Sequence, residues 1–212
     1  MFRHLIFRAC LIGLALIGAP QIASAHPHVW VSVRAEIVYG TNGRITAIRH
    51  NWTFDEAYTS FAVQGLDANH DGVYSREELA ELAKVNTESL AEVGFFTVLK
   101  ADGKRLDFAN PVDGVLDYDG SGMTLRFTLP LKQPALAKRV LTLDVADPSF
   151  FVDFSYPEEE KVVSLAGAPA GCAVHVTRPD KPDFAKQKLG EDYFANANMG
   201  LQFASRAFVA CP

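Results

Sequence analysis

Residues 29–39 alternate. Val29, Val31, Val33, Ala35 and Ile37 fall on one side, and Trp30, Ser32, Arg34 and Glu36 on the other. A period of two marks a strand that buries one face. Gly40-Thr41-Asn42-Gly43 follows, and Asn-Gly is the pair that a tight hairpin turn with positive φ requires. A second strand is predicted over residues 44–52. Nothing else in the chain narrows the fold as much, because a tight turn fixes the register of everything that follows it. Paired numbers should sum to about 85. His50 then stands opposite Ala35, and His28 faces residues 55–57, with Asp55 and Glu56 as its expected neighbours.

Beyond residue 95 the pattern remains β. Strands are predicted over residues 95–100 and 105–108. One hairpin is predicted from 112–118 and 123–129 across Asp119-Gly120-Ser121, and another from 140–145 and 150–156 across Asp147-Pro148. Residues 161–165 and 172–176 add two strands, residues 183–194 a short helix, and residues 202–211 a last strand. Short strands at this spacing, punctuated by turn residues, predict an α+β fold. It is mainly an antiparallel β-sandwich, with a helix-loop-helix insertion at about residues 53–93 in a single domain spanning 26–212.

The insertion has its own grammar. Thr53-Phe54-Asp55-Glu56 has the form of a capping box, and Phe54, Tyr58, Phe61 and Leu66 form its apolar stripe. Then comes Asp67-Ala68-Asn69-His70-Asp71-Gly72-Val73-Tyr74-Ser75-Arg76-Glu77-Glu78. Asp67, Asn69, Asp71, Ser75 and Glu78 place side-chain oxygens at loop positions 1, 3, 5, 9 and 12, Val73 offers a carbonyl, and glycine stands at position 6. Ser75 and Glu78 also cap an outgoing helix that buries Leu79, Leu82, Leu90 and Val93. These 40 or so residues resemble an EF-hand, which implies calcium as ligand. Tyr74 replaces the usual aliphatic residue that pairs with a sister loop. The sequence contains no sister loop, so modest affinity is expected.

The amino terminus reads as a cleaved secretory signal. Arg3 and Arg8 precede a short apolar core over residues 11–19, too short to span a bilayer, and Ala23 and Ala25 satisfy a signal peptidase. Cleavage after Ala25 leaves 187 residues and moves the net charge from −5 to −7, a balance that disfavours nucleic acid and anionic membrane as partners, and no later apolar run is long enough for direct membrane insertion. The expected location is the periplasm. Cleavage also makes His26 the first residue. Its amine and imidazole, with the imidazole of His28, then form a brace-like donor set. Pro27 has no backbone N–H, which excludes a site built on a deprotonated second amide. Asp55 is the expected carboxylate at this metal site. Cys172 and Cys211 remain after cleavage, and in an oxidising compartment they should pair, closing a loop of about 40 residues worth about 3–4 kcal/mol. His50 and His175 read as structural or surface residues, and Asp147 and Asp153 as turn and strand-edge residues.

Four stretches, His26-Pro27-His28-Val29-Trp30, Trp52-Thr53-Phe54-Asp55-Glu56, Asp147-Pro148-Ser149-Phe150-Phe151-Val152-Asp153-Phe154 and the end of the chain from Phe203 to Cys211, resemble the bacterial periplasmic domain-of-unknown-function family 1007. Its members are described as periplasmic components of an uncharacterised ABC-type transport system and occur beside nickel/cobalt-type membrane transporters. The resemblance implies a metal-binding accessory protein that serves an inner-membrane transporter of nickel, cobalt, zinc or copper. Two other readings remain: an oxidative copper enzyme built on a histidine brace, and a calcium-stabilised structural or binding module. The sequence has no Ser/His/Asp or Cys/His constellation, phosphate loop or nucleotide fingerprint, so metal handling is favoured over catalysis.

Overall fold

A computed structural model describes residues 27–159, 161–180 and 199–212. His26 and the helix expected over 183–194 lie outside these residues. The opening hairpin forms as read. Strand β1 (Val29–Tyr39) pairs antiparallel with β2 (Ile45–Phe54), and Ala35 stands opposite His50 and Val31 opposite Phe54. The helical segment follows as α1 (Glu56–Ala62), α2 (Ala80–Ser89) and a 3-10 turn at Leu90–Phe96. Then come β3 (Thr97–Ala101), β4 (Lys104–Arg105), β5 (Val112–Tyr118), β6 (Met123–Ala135), β7 (Leu141–Val145), β8 (Val152–Ser155), β9 (Val163–Ala166) and β10 (Ala173–Thr177). A 3-10 turn at Met199–Phe203 leads into β11 (Arg206–Ala210).

The strands make two sheets, mostly antiparallel. One has the order β5-β6-β2-β1-β8, with β9 also on β1; the other runs β10-β11-β7-β3-β4. The first strand is long enough to seat two short partners end to end. Its first half pairs parallel with β8, Val29 with Val152, and its second half pairs parallel with β9, Ala35 with Val163. The predicted hairpin over 112–118 and 123–129 is present as β5 and β6. The one predicted over 140–145 and 150–156 is not. Both edges of β7 are taken, by β3 and by β11, so the chain after Asp147-Pro148 crosses to the other sheet. There Phe154 packs its ring 4.9 Å from Trp52 and 5.1 Å from Phe96.

The apolar faces of β1, β2 and β6 meet those of β3, β7 and β11 in one core that contains Val31, Ile37, Ile48, Trp52, Leu125, Leu99 and Leu143. One polar chain crosses it. Trp52 Nε1 donates to His50 Nδ1 at 3.2 Å, and His50 Nε2 lies 3.3 Å from Thr97 Oγ1, which donates to Phe95 O at 2.8 Å. An indole N–H only donates, so His50 Nδ1 is the acceptor and Nε2 carries the proton. Every member is then satisfied with the ring neutral. Burial drives the His50 pKa down to about 3, since a charged ring has no counter-charge there.

The insertion begins two residues later than the capping-box pattern indicates. Thr53 and Phe54 stay in β2, where Thr53 Oγ1 meets Thr124 Oγ1 at 2.9 Å, and Asp55 is the cap, its Oδ1 accepting from Tyr58 N at 2.9 Å. The short helix turns Thr59 inward, where its hydroxyl accepts from Met123 N at 3.2 Å. Phe61, expected on the buried stripe, is 71% exposed. The second helix packs against β5 at Gly114, where a Cβ would collide with the Thr87 hydroxyl. Cys172 and Cys211 flank the first register pair of β10 and β11 and form a disulfide, with Cα atoms 4.0 Å apart.

Candidate functional site

The head of β1 is fixed from both sides. On one side, Trp30 and Asp55 exchange bonds: Asp55 N donates to Trp30 O at 3.0 Å, and Trp30 N donates to Asp55 Oδ2 at 2.9 Å. Both carboxylate oxygens of Asp55 thus accept a backbone N–H, one from the strand and one from the helix. A carboxylate oxygen has more than one lone pair, so this double duty leaves acceptor capacity on each.

On the other side stands the turn after β7. The Asp147 carboxylate gathers Ser149 N at 2.9 Å, Ser149 Oγ at 2.8 Å and Val152 N at 3.0 Å, while Phe150 takes a positive φ of 59°. Gly200 packs so closely on this turn that a Cβ would collide with the Asp147 carbonyl. The result is a Phe151 carbonyl aimed at the strand head, where it accepts from His28 N at 2.9 Å, and a Phe151 ring stacked 4.7 Å from the His28 ring. His28 is exposed and Pro27 buried. The imidazole is therefore presented on a fixed base.

The register rule located His28 only in part. The chain turns into α1 after Asp55, so Asp55 meets Trp30, and the ring neighbour of His28 is Phe151. Glu56 is exposed. The strand-edge residue Asp153 has a closer claim on this corner than Glu56. It pairs in parallel register with Trp30 and is only 7% exposed. Parallel register sets paired side chains on one face, and residues two apart share a face. Asp153, Trp30 and His28 therefore share one face. A parallel partner more than a hundred residues away is not readable from a local pattern. Imidazole and carboxylate on one face are nitrogen and oxygen donors of the kinds that divalent transition metals accept. Among the described residues no group of three or more His, Cys, Asp or Glu converges as a ligand set.

The loop over residues 67–78 is folded on its own side chains. Asp67 accepts from Asp71 N at 3.1 Å and Gly72 N at 3.0 Å, Asn69 accepts from Asp71 N at 2.9 Å, and Asp71 accepts from Val73 N at 2.8 Å. Gly72 has a φ of 79°, which suits glycine at the sharp turn. The predicted cap is present and reciprocal: Ser75 N and Oγ donate to Glu78 Oε2 at 2.9 and 2.8 Å, and Glu78 N donates to Ser75 Oγ at 3.3 Å. Bonds from Ser75 and Ala68 hold the Glu78 carboxyl below the usual carboxylate range. Tyr74 packs its ring edge-on at 5.0 Å against Tyr118, and Arg76 Nε donates to Asp117 Oδ1 at 2.5 Å. Strand β5 is thus the surface on which the loop docks. His70 and His175 are exposed.

Fold and sites together define a small α+β sandwich with a rigidly mounted histidine at the head of its first strand and an acidic loop clamped to its edge. The chain belongs to the family described as "Protein of unknown function (DUF1007)", whose profile matches residues 11–211. It is also similar to an uncharacterised 15.5 kDa protein from the trpE 3′ region of Spirochaeta aurantia, 30% identical over 94 residues, which cover 44% of this chain and 67% of that relative. No helix among the described residues is long and apolar enough to cross a membrane.

Proposed function

We propose that the chain is a periplasmic accessory protein that binds a transition-metal ion and passes it to or from an inner-membrane transporter. The observation that carries this reading is the mounting of His28. An exposed imidazole, held by a backbone bond at 2.9 Å and a ring stack at 4.7 Å, lies two positions from His26 in a sequence that a signal peptidase would leave starting at His26. The amine and two rings would supply three nitrogens of a site for nickel, cobalt, zinc or copper, with Asp55 as the proposed oxygen donor. The metal here is cargo, and no reaction is required of it. The test is metal titration of periplasm-processed protein, its first residue fixed by mass spectrometry, beside protein bearing one extra residue before His26. Extension should weaken binding by about tenfold or more, and His26→Ala with His28→Ala should nearly abolish it. Equal binding by the extended protein would refute a role for the α-amine.

A second reading, a calcium-stabilised module, draws on the loop over residues 67–78. Its proposed ligands are Asp67, Asn69, Asp71, the carbonyl of Val73, Ser75 and Glu78. Support comes from the reciprocal Ser75–Glu78 cap and from the docking of Tyr74 on Tyr118. The two readings are compatible, one cation being structural and the other cargo.

A further inference from the structure

The outer face of the second sheet carries a cleft of about 390 Å³. Strand β3 lends its floor Val98 and Lys100, β4 adds Arg105, and the Asp144–Arg206 pair closes the far end. Lys100 and Arg105 are partners in register, so their side chains leave the same face of the sheet side by side. Neither forms an ion pair among the described residues, whereas Arg206 is spoken for by Asp144 at 2.5 and 2.9 Å. Among the described residues the cleft therefore carries two cations without an ion-pair partner, on a chain whose formal net charge is −5. Its other surfaces are apolar: Phe96 on one wall and, at the rim, Val93 and Leu201, each 47% exposed.

The wall itself is strained. Gly94, Phe95 and Phe96 take φ values of 62°, 61° and 45° in succession. Two consecutive aromatic residues in the left-handed region persist only where the surroundings hold them. Here the rings do so, Phe95 against Phe108 at 6.0 Å and Phe96 against Phe154 at 5.1 Å. Backbone held in such conformations concentrates at ligand clamps, and Gly94 and Phe96 of this run line the cleft.

We propose that this cleft binds a small amphipathic organic anion, its carboxylate taken by Lys100 and Arg105 and its apolar body laid against Phe96 and Leu201. An inorganic anion would leave the apolar walls unused, and a neutral apolar molecule would leave two cations facing it without a counter-charge. The proposal does not rest on the metal reading, since no residue of the cleft belongs to the head of β1.

The test is calorimetric titration of the full chain with octanoate, beside acetate and octanamide. Octanoate should bind in the micromolar to low millimolar range, and acetate and octanamide at least about tenfold more weakly. Lys100→Gln with Arg105→Gln should cost octanoate about tenfold, and Leu201→Asp a similar factor, with thermal unfolding of both variants showing that they remain folded. Absence of octanoate binding at low millimolar concentration would overturn the proposal. So would equal binding of octanoate and octanamide, or octanoate affinity unchanged in the double variant.

Discussion

A single imidazole ties the two sheets of this protein together. His50 accepts from Trp52 at Nδ1 and reaches Thr97 through Nε2, and the bond from Trp52 needs the ring neutral. Its folded pKa is near 3, against about 6.5 for the unfolded chain. The folded form thus binds fewer protons than the unfolded form wherever the pH lies between the two. Stability from this residue is complete above about pH 6.5 and is lost as pH falls toward 3, by about 2 kcal/mol between pH 7 and pH 5. Urea unfolding across that range should show the loss. His50→Gln should be less stable at pH 7 yet flatter with pH, and an unchanged slope would assign the dependence to other groups. The sequence left His50 as a structural or surface residue, and the hairpin register placed it correctly opposite Ala35. It did not reveal Asp153, whose place beside Trp30 is set by a parallel pairing that no local pattern encodes.

Elements were legible to the degree that their neighbours are local. The first hairpin, the β5–β6 hairpin and the Ser75–Glu78 cap all follow from residues within one turn of each other. The hairpin expected of β7 and β8 failed because the pairing of β7 is decided by β3 and β11, both distant in sequence. The loop over residues 67–78 lies between these cases: its internal bonds were readable, but its docking on β5 through Tyr74 and Arg76 was not. That docking bears on its expected response to calcium. The hard oxygens should select calcium at about 10⁻⁴–10⁻³ M, and a ligand that binds only the folded state raises the melting temperature by mass action. Because the loop is clamped to the sheet, the gain should reach global unfolding and not just the local helices. Glu78→Gln should remove it while leaving transition-metal titration intact. A melting curve that millimolar calcium does not move would mean that the loop holds itself by hydrogen bonds alone.

At the scale of the whole molecule, the Cys172–Cys211 bond staples the last strand to the edge of the second sheet across 39 positions. Replacing both with serine should lower stability by about 2–5 kcal/mol, read by denaturant unfolding, with octanoate and metal titrations unchanged. A loss below about 1 kcal/mol would mean that the β10–β11 pairing suffices without the bond. The seating of two short parallel strands on one edge of β1 sets a timetable as well as a shape. Val29 meets Val152 and Ala35 meets Val163, more than 120 positions downstream, and the second sheet waits on β11. A chain emerging from its amino terminus can therefore close its local hairpins early, but the outer edge of β1 stays open until β8 and β9 arrive. Contacts of such long sequence separation are slow to form, on the order of milliseconds to seconds. On the periplasmic reading proposed above, such slow closure would keep a precursor open while it is threaded through the membrane.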